Sequence, residues 1–118
     1  MELWLNPHCS KCRVAIEELD AAGVEYTVRR YLDDPPDEQT LRDVVARLGL
    51  EPWDIARTKE TREEGVDLPR DPDHRDDWYA ALAAHPRIIQ RPIITAADGT
   101  TVVGRDQESL DRVIGAEQ

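Results

Sequence analysis

The segment that most constrains this chain is residues 6–13, Asn-Pro-His-Cys-Ser-Lys-Cys-Arg, which lies between a short apolar run and a stretch with helical periodicity. It contains both cysteines of the protein, Cys9 and Cys12, in a Cys-x-x-Cys spacing. A helix that begins here points its free backbone N–H groups and the positive end of its dipole at the first sulfur. This placement favours the thiolate, which is the reactive form of cysteine. The sequence therefore predicts that Cys9 is a nucleophile and that Cys12, one helical turn further on, is a second thiol.

The same two cysteines allow other interpretations. They could be inert thiols, or they could form half of a zinc site, which needs two further ligands. Apart from carboxylates, only His8, His74 and His85 could supply these ligands, and no second closely spaced ligand pair occurs. We therefore predict no metal site and favour a redox pair. In that interpretation Arg13, and His8 when it is protonated, support the nucleophile by adding positive charge nearby.

Composition excludes several classes of protein. We predict a single domain over residues 1–118, because a chain of this length can bury its own core. A formal net charge of −10 argues against nucleic-acid binding, which needs a basic surface. It also means that an anion site would have to be built locally from arginines. No apolar run is long enough to cross a membrane and no signal peptide is visible, so we expect a cytoplasmic protein with no membrane partner.

The order of the predicted elements indicates an α/β fold. Residues 2–5 form a short strand, the helix after the cysteines ends at Gly23, and residues 26–32 form a second strand. A strand, a helix and a strand within about thirty residues make a βαβ unit, so the two strands should be parallel. A second helix follows, with Asp37 as its N-cap and Gly49 at its end.

Residues 51–86 are the least regular part of the chain, and we predict a helical insert at about these positions. Apolar residues around Trp53 indicate one short helix, and those around Trp78 indicate another. Residues 59–75 between them are highly charged and contain two prolines. We interpret this segment as an exposed connection and assign it no function.

The last third of the chain is again rich in residues that are typical of strands. Residues 88–94 are rich in isoleucine, and the turn signal Asp98-Gly99 predicts a hairpin with residues 101–103. A last helix follows, with Leu110 and Val113 on its buried face. The complete prediction is βαβα, a helical insert and then ββα.

Several segments together resemble the arsenate reductase family of glutaredoxin type, a branch of the thioredoxin fold that also includes the Spx regulators. The similarity runs nearly end to end and implies a thioredoxin-like mixed sheet. It is carried by Asn-Pro-His-Cys at residues 6–9, Leu-Asp-Asp-Pro-Pro at 32–36, His-Pro at 85–86, Arg-Pro-Ile-Ile at 91–94 and Gly-Arg at 104–105.

The resemblance implies that the protein is an arsenate reductase. In that family the cysteine matching Cys9 attacks arsenate, and three arginines, which match Arg57, Arg91 and Arg105, hold the oxyanion. A guanidinium group offers a planar fork of donors that suits the oxygens of arsenate. The resemblance also implies that Pro92 forms the cis bond that the thioredoxin fold usually has beside its active cysteine.

Cys12 departs from the pattern of the glutaredoxin-coupled enzymes, in which glutathione releases the arsenic-bound cysteine. An internal thiol reacts with Cys9 at high effective concentration, so Cys12 is expected to be the resolving thiol. The resulting disulfide would suit thioredoxin better than glutathione. We expect no bound cofactor. The expected partners are arsenate or a similar oxyanion, and an external thiol reductant, either thioredoxin or glutathione with glutaredoxin.

Two other functions fit the same residues. One is an Spx-like redox-sensing transcriptional regulator that binds RNA polymerase and uses Cys9 and Cys12 as a switch. The other is a related thiol oxidoreductase without arsenate activity, because a fold does not by itself determine function. The strongly acidic composition argues against the regulator.

Overall fold

The computed structural model describes all 118 residues, and the chain divides into two compact units. The first unit comprises Met1–Asp34 and Arg91–Gln118, and the second comprises Pro35–Gln90. All four strands belong to the first unit, whereas the second is helical. The single domain over residues 1–118, with its insert at about 51–86, stays a prediction.

The sheet of the first unit has four strands in the order β2-β1-β3-β4. β1 pairs in parallel with β2 and antiparallel with β3, and β3 pairs antiparallel with β4. In this register Leu3 lies opposite both Val28 and Ile94. The predicted parallel βαβ unit and the predicted hairpin are therefore confirmed. The strands are β1 (Glu2–Trp4), β2 (Thr27–Arg29), β3 (Ile93–Thr95) and β4 (Thr101–Val103).

Five α-helices and three short 3₁₀ helices complete the chain. No helix combines the length and the apolar character that a bilayer span requires. The α-helices are α1 (Ser10–Ala21), α2 (Glu38–Leu48), α3 (Thr58–Glu63), α4 (Arg75–Ala84) and α5 (Gln107–Glu117), and the 3₁₀ helices are Pro52–Ile55, Pro72–His74 and Pro86–Ile88.

The core of the first unit joins its sheet to α1 and α5. The apolar residues of these helices recur every three or four positions, so each helix turns one face inward. Strand residues alternate between faces, and those that face the helices complete the cluster. Its buried members are Leu3, Ala15, Leu19, Ile94, Ala96, Val102, Leu110 and Val113.

The helix ends follow local sequence signals. The Asp37 side chain accepts a hydrogen bond of 2.7 Å from the backbone N–H of Thr40, which caps α2 as predicted. Gly49 then ends α2 with a φ of 69°, a left-handed conformation that glycine adopts at little cost. Asp106 caps α5 in the same way, accepting from the N–H of Ser109 at 2.7 Å.

The second predicted strand is too long. Only Thr27–Arg29 forms β2, and the chain then turns, with the carbonyl of Arg30 accepting from the N–H groups of Asp33 and Asp34 at 3.0 and 2.9 Å. Tyr31 lies in this turn with its side chain fully buried. Aromatic residues are frequent in strands, so the sequence predicted a strand at Tyr31, but here the aromatic side chain is buried in a turn.

Two further predictions need correction. The segment 59–75 is not simply an exposed connection, because α3 covers its beginning and buries Glu60 and Thr61. Glu60 is buried because it pairs with Arg57. The pattern of apolar residues in the sequence does not reveal the burial of a charged residue. The strand predicted over residues 88–94 begins only at Ile93, and Ile88 ends a 3₁₀ helix. Isoleucines there are buried without being part of the sheet.

Candidate active site

The first turn of α1 positions Cys9. This residue occupies the N-cap position with extended φ and ψ angles of −96° and 124°, and its side chain is half-buried. Its N–H donates to the carbonyl of Asn6 at 3.1 Å, and its carbonyl accepts from the N–H of Arg13 at 3.2 Å. The Asn6 side chain accepts from the N–H of His8 at 2.9 Å, which closes the turn. The helix therefore begins where the sequence predicted, with the sulfur at its N-terminus.

The surroundings of Cys9 favour its thiolate. Burial raises the pKa of the Cys9 thiol, but hydrogen bonds to its sulfur outweigh this effect and bring the pKa down to about 7. The donors are the backbone of Cys12, the side chain of Arg91, the backbone of Lys11 and the Cys12 thiol. A free cysteine has a pKa of about 8.5, so Cys9 ionises much more readily near neutral pH.

Cys12 has the opposite character. It is fully buried, and burial raises the pKa of its thiol to about 11. A backbone hydrogen bond from Asn6 lowers that pKa, whereas the negative charge of Cys9 raises it. Both cysteines are free thiols. The pair therefore combines a half-buried thiolate with a buried, protonated thiol one helical turn away.

Arg91 and Arg105 meet beside the start of β3. The Arg91–Pro92 bond is cis, as predicted, and the Arg91 side chain donates to the sulfur of Cys9. Nη1 of Arg105 donates to the carbonyl of Arg91 at 2.8 Å, and the N–H of Gly104 donates to the carbonyl of Pro92 at 2.8 Å. Two of the three predicted substrate arginines thus lie together in the unit that contains the cysteines.

The remaining predicted residues have other surroundings. Arg57 belongs to the second unit, where it precedes α3 and its Nε lies 2.9 Å from Oε2 of Glu60. His8 and Arg13 are exposed. The link between Arg13 and Cys9 runs through the backbone. The roles predicted for these three residues stay predictions.

Sequence reasoning assigned no role to Asn6 or Tyr31. Asn6 is buried, and its backbone and side chain both bond within the cysteine turn. Tyr31 is fully buried, and burial raises the pKa of its phenol to about 12, whereas the charge of Arg91 and a hydrogen bond with the Arg91 side chain lower it. The available signal was their position, since Asn6 is the first residue of the segment 6–9 and Tyr31 directly precedes the segment 32–36, both of which carry the family resemblance. No cluster of three or more histidine, cysteine or acidic side chains in the 118 residues is arranged to hold a metal ion.

This arrangement suits attack on a tetrahedral oxyanion. A thiolate at a helix N-terminus supplies the nucleophile, and neighbouring guanidinium groups can hold the oxygens of the anion. The second thiol can then supply the other half of a two-electron reduction by forming a disulfide.

The chain is similar to known proteins along nearly its whole length. The uncharacterized protein in the glnII region of Streptomyces viridochromogenes is 60% identical over 113 residues, which cover 93% of this chain and 95% of that protein. The arsenate reductase of Neisseria meningitidis serogroup B is 36% identical over 117 residues, or 97% of each chain.

The solved structure of the arsenate reductase from Vibrio cholerae superposes with a TM-score of 0.74 at 29% identity and covers 98% of each chain. The predicted thioredoxin-like α/β fold is thereby confirmed. The model of the ArsC family matches residues 4–113, nearly the whole sequence. With its thiol pair and its paired arginines in the described places, this chain belongs to the ArsC family.

Proposed function

We propose that this protein is a thiol-dependent arsenate reductase in which Cys9 is the nucleophile. The observation that carries the proposal is the sulfur of Cys9, which receives a hydrogen bond from Arg91 and has a pKa of about 7. At neutral pH about half of such a thiol is ionised. The name of the Neisseria meningitidis relative, at 36% identity, supports arsenate as the substrate.

In the first step the Cys9 thiolate attacks the arsenic atom of arsenate. An As–S bond forms, and one oxygen of arsenate leaves as water after it takes up protons. Arg91 and Arg105 hold the remaining oxygens and balance the charge that moves onto them. Arg91 then serves twice, since it stabilises the thiolate before the attack and the oxyanion during it.

In the second step Cys12 loses its proton and attacks the sulfur of Cys9. A Cys9–Cys12 disulfide forms, and the electron pair of the As–S bond stays on arsenic. Arsenic(V) is thereby reduced to arsenic(III), which leaves as arsenite, and the two thiols have supplied both electrons. Thioredoxin, or glutathione with glutaredoxin, returns the disulfide to two thiols.

The test measures arsenate-dependent oxidation of NADPH. One assay couples the protein to thioredoxin and thioredoxin reductase, and the other couples it to glutathione, glutaredoxin and glutathione reductase. We expect turnover by the wild type and none by Cys9→Ser with either system. Cys12→Ser is the matched control, and it should fail with thioredoxin because no internal disulfide can form. Thermal melts of both variants show whether they are folded.

The possible results separate the parts of the proposal. A wild-type protein that oxidises NADPH equally fast with and without arsenate in both systems overturns the arsenate reductase function. Cys12→Ser turnover equal to the wild type with thioredoxin refutes Cys12 as the resolving thiol but leaves Cys9 as the nucleophile. Mass spectrometry of the arsenate-treated wild type should show a loss of about two mass units, from the two hydrogens that disulfide formation removes.

A further inference from the structure

The second unit contains an open cavity that no step above uses. Its volume is about 420 Å³, which lies within the range of about 300–1,000 Å³ that small-molecule pockets have in proteins. Residues of α3, residues of the segment 65–70 and Trp78 of α4 form its wall. The cavity shares no residue with the cysteine pair, and neither Arg91 nor Arg105 lines it.

Local contacts hold this wall in place. Gly65 has a φ of 73°, which lets the chain turn directly after α3, and its N–H donates to the carbonyl of Arg62 at 3.1 Å. The indole N–H of Trp78 donates to the carbonyl of Pro69 at 2.9 Å. The segment 65–70 is therefore tied to α3 at one end and to α4 at the other.

Two guanidinium groups at this wall have no acidic partner. Arg62 and Arg70 line the cavity and are exposed, and neither forms an ion pair. Pairing is expected in a chain with 25 acidic residues and only 15 lysines and arginines. Four other arginines of the second unit do pair with carboxylates, namely Arg42, Arg57, Arg75 and Arg87. The two unpaired groups are thus available to bind an anion from solution.

The charges of the wall favour an anion with a single negative charge. Asp67 is the only acidic residue of the wall, so one carboxylate stands against two guanidinium groups and one positive charge is in excess. A carboxylate ligand carries one negative charge and offers two oxygens to the planar fork of a guanidinium group. A phosphate monoester carries nearly two negative charges at neutral pH, and Asp67 would repel it more strongly.

The rest of the wall suits the carbon skeleton of such a ligand. Val66 and Leu68 are half-buried there, and Trp78 is buried. Thr61 also belongs to the wall, and its buried hydroxyl has no hydrogen-bond partner in the chain. Buried polar groups nearly always have a partner, so the partner of this hydroxyl is expected to come from outside the chain.

We propose that this cavity binds a small organic carboxylate: Arg62 and Arg70 hold the carboxylate group, while Val66, Leu68 and Trp78 contact the apolar part. The proposal concerns binding alone. It does not rest on the arsenate reductase function, so either of the two can fail without the other.

The test is an NMR titration of the full-length, reduced, ¹⁵N-labelled protein at constant pH and salt concentration. The chain has three tryptophans, so the indole N–H signal of Trp78 can be followed by itself once triple-resonance spectra have assigned it. Phenylacetate is the probe. Phenylacetamide has the same apolar body without the charge, and acetate has the charge without the apolar body.

Phenylacetate should shift the Trp78 signal along a saturable curve in the millimolar range, since a ligand with few atoms binds weakly. The indole signals of the other two tryptophans should not follow that curve, because neither residue lines the cavity. Phenylacetamide and acetate should each bind at least about tenfold more weakly, since each lacks one of the two contributions.

Arg62→Met and Arg70→Met should each weaken the binding of phenylacetate about tenfold, the effect of one charge-assisted hydrogen bond. Their melting temperatures should equal that of the wild type, because neither side chain has a partner in the folded chain. Arg47→Met is the matched control. It removes the same charge from an exposed position of α2 outside the cavity wall, so binding should stay within about twofold of the wild type.

Three results would overturn the proposal. The first is a Trp78 signal that shows no saturable response to phenylacetate. The second is equal binding of phenylacetate and of either phenylacetamide or acetate, which would mean that the charge or the apolar body contributes nothing. The third is a loss of binding in Arg62→Met and Arg70→Met no larger than in Arg47→Met, which would mean that only the net charge of the protein matters.

Discussion

Replacing Arg91 by methionine removes the guanidinium group that bonds to the Cys9 sulfur and keeps an unbranched side chain of similar volume. The Arg91 side chain lowers the pKa of Cys9 by a hydrogen bond, and its charge also lowers the pKa of Cys12. Its loss disfavours the thiolate relative to the thiol. The pKa of Cys9 should therefore rise from about 7 towards the free value of about 8.5.

The size of the effect follows from the donors that remain. The backbone N–H groups of Cys12 and Lys11 still reach the sulfur in the variant, so a complete return to the free value is not expected. Loss of one hydrogen bond to a charged group corresponds to about one pKa unit. The ionised fraction of Cys9 at pH 7 then falls from about one half to about one tenth, and alkylation becomes about fivefold slower.

The assay is the rate of alkylation by iodoacetamide as a function of pH, measured in a Cys12→Ser background so that Cys9 alone reports. Arg13→Met is the matched control. It removes the same charge from an exposed position of α1, and Arg13 is not among the groups that shift the pKa of Cys9. The midpoint of the Arg91→Met profile should move to higher pH by more than that of the Arg13→Met profile, since the side chain of Arg91, unlike that of Arg13, is among the hydrogen-bond donors to the Cys9 sulfur. Equal midpoints for Arg91→Met and its parent, or equal shifts in both variants, would refute the reasoning.

Three further predictions concern stability, measured as the free energy of unfolding in urea. A Cβ on Gly104 would lie 2.7 Å from the side chain of Ile94, so Gly104→Ala should lower the free energy of unfolding by about 1–3 kcal/mol. In α5 no atom lies within 4 Å of a Cβ on Gly115, so Gly115→Ala should raise the free energy of unfolding by about 0.5–1 kcal/mol. Equal effects at the two glycines would contradict this reasoning. Asp106→Ala removes the cap of α5 and should cost about 1 kcal/mol, most of which Asp106→Asn should restore. Burial raises the pKa of the folded Cys12 thiol to about 11, so stability present below its unfolded value of about 8.5 is lost as pH rises through about 11. Between about pH 8 and about pH 10 the wild type should therefore lose more stability than Cys12→Ser, and equal losses in the two proteins would contradict the raised pKa of Cys12.

The sequence by itself determined the features that depend on neighbouring residues. The start of α1 at the cysteine pair, the Asp37 cap and the Gly49 end of α2 each lie within about one helical turn of the signal that predicts them. The parallel βαβ unit follows from the short connection between its strands. The family resemblance added Arg91 and the cis Pro92, which composition alone does not identify.

Only the tertiary structure decided how far the pKa values of the two thiols differ. The predicted start of α1 already separates Cys9 from Cys12, but it does not show that the pKa of Cys9 is lowered to about 7 and that of Cys12 raised to about 11. Burial raises the pKa of both thiols. At Cys9 it is outweighed by hydrogen bonds from the backbone of Cys12, from the side chain of Arg91, which is distant in the chain, and from the backbone of Lys11, whereas at Cys12 it dominates. The same holds for Tyr31, because burial in the folded chain raises the pKa of its phenol to about 12. Burial and desolvation are sums over contacts between distant segments, and no local pattern of residues encodes them.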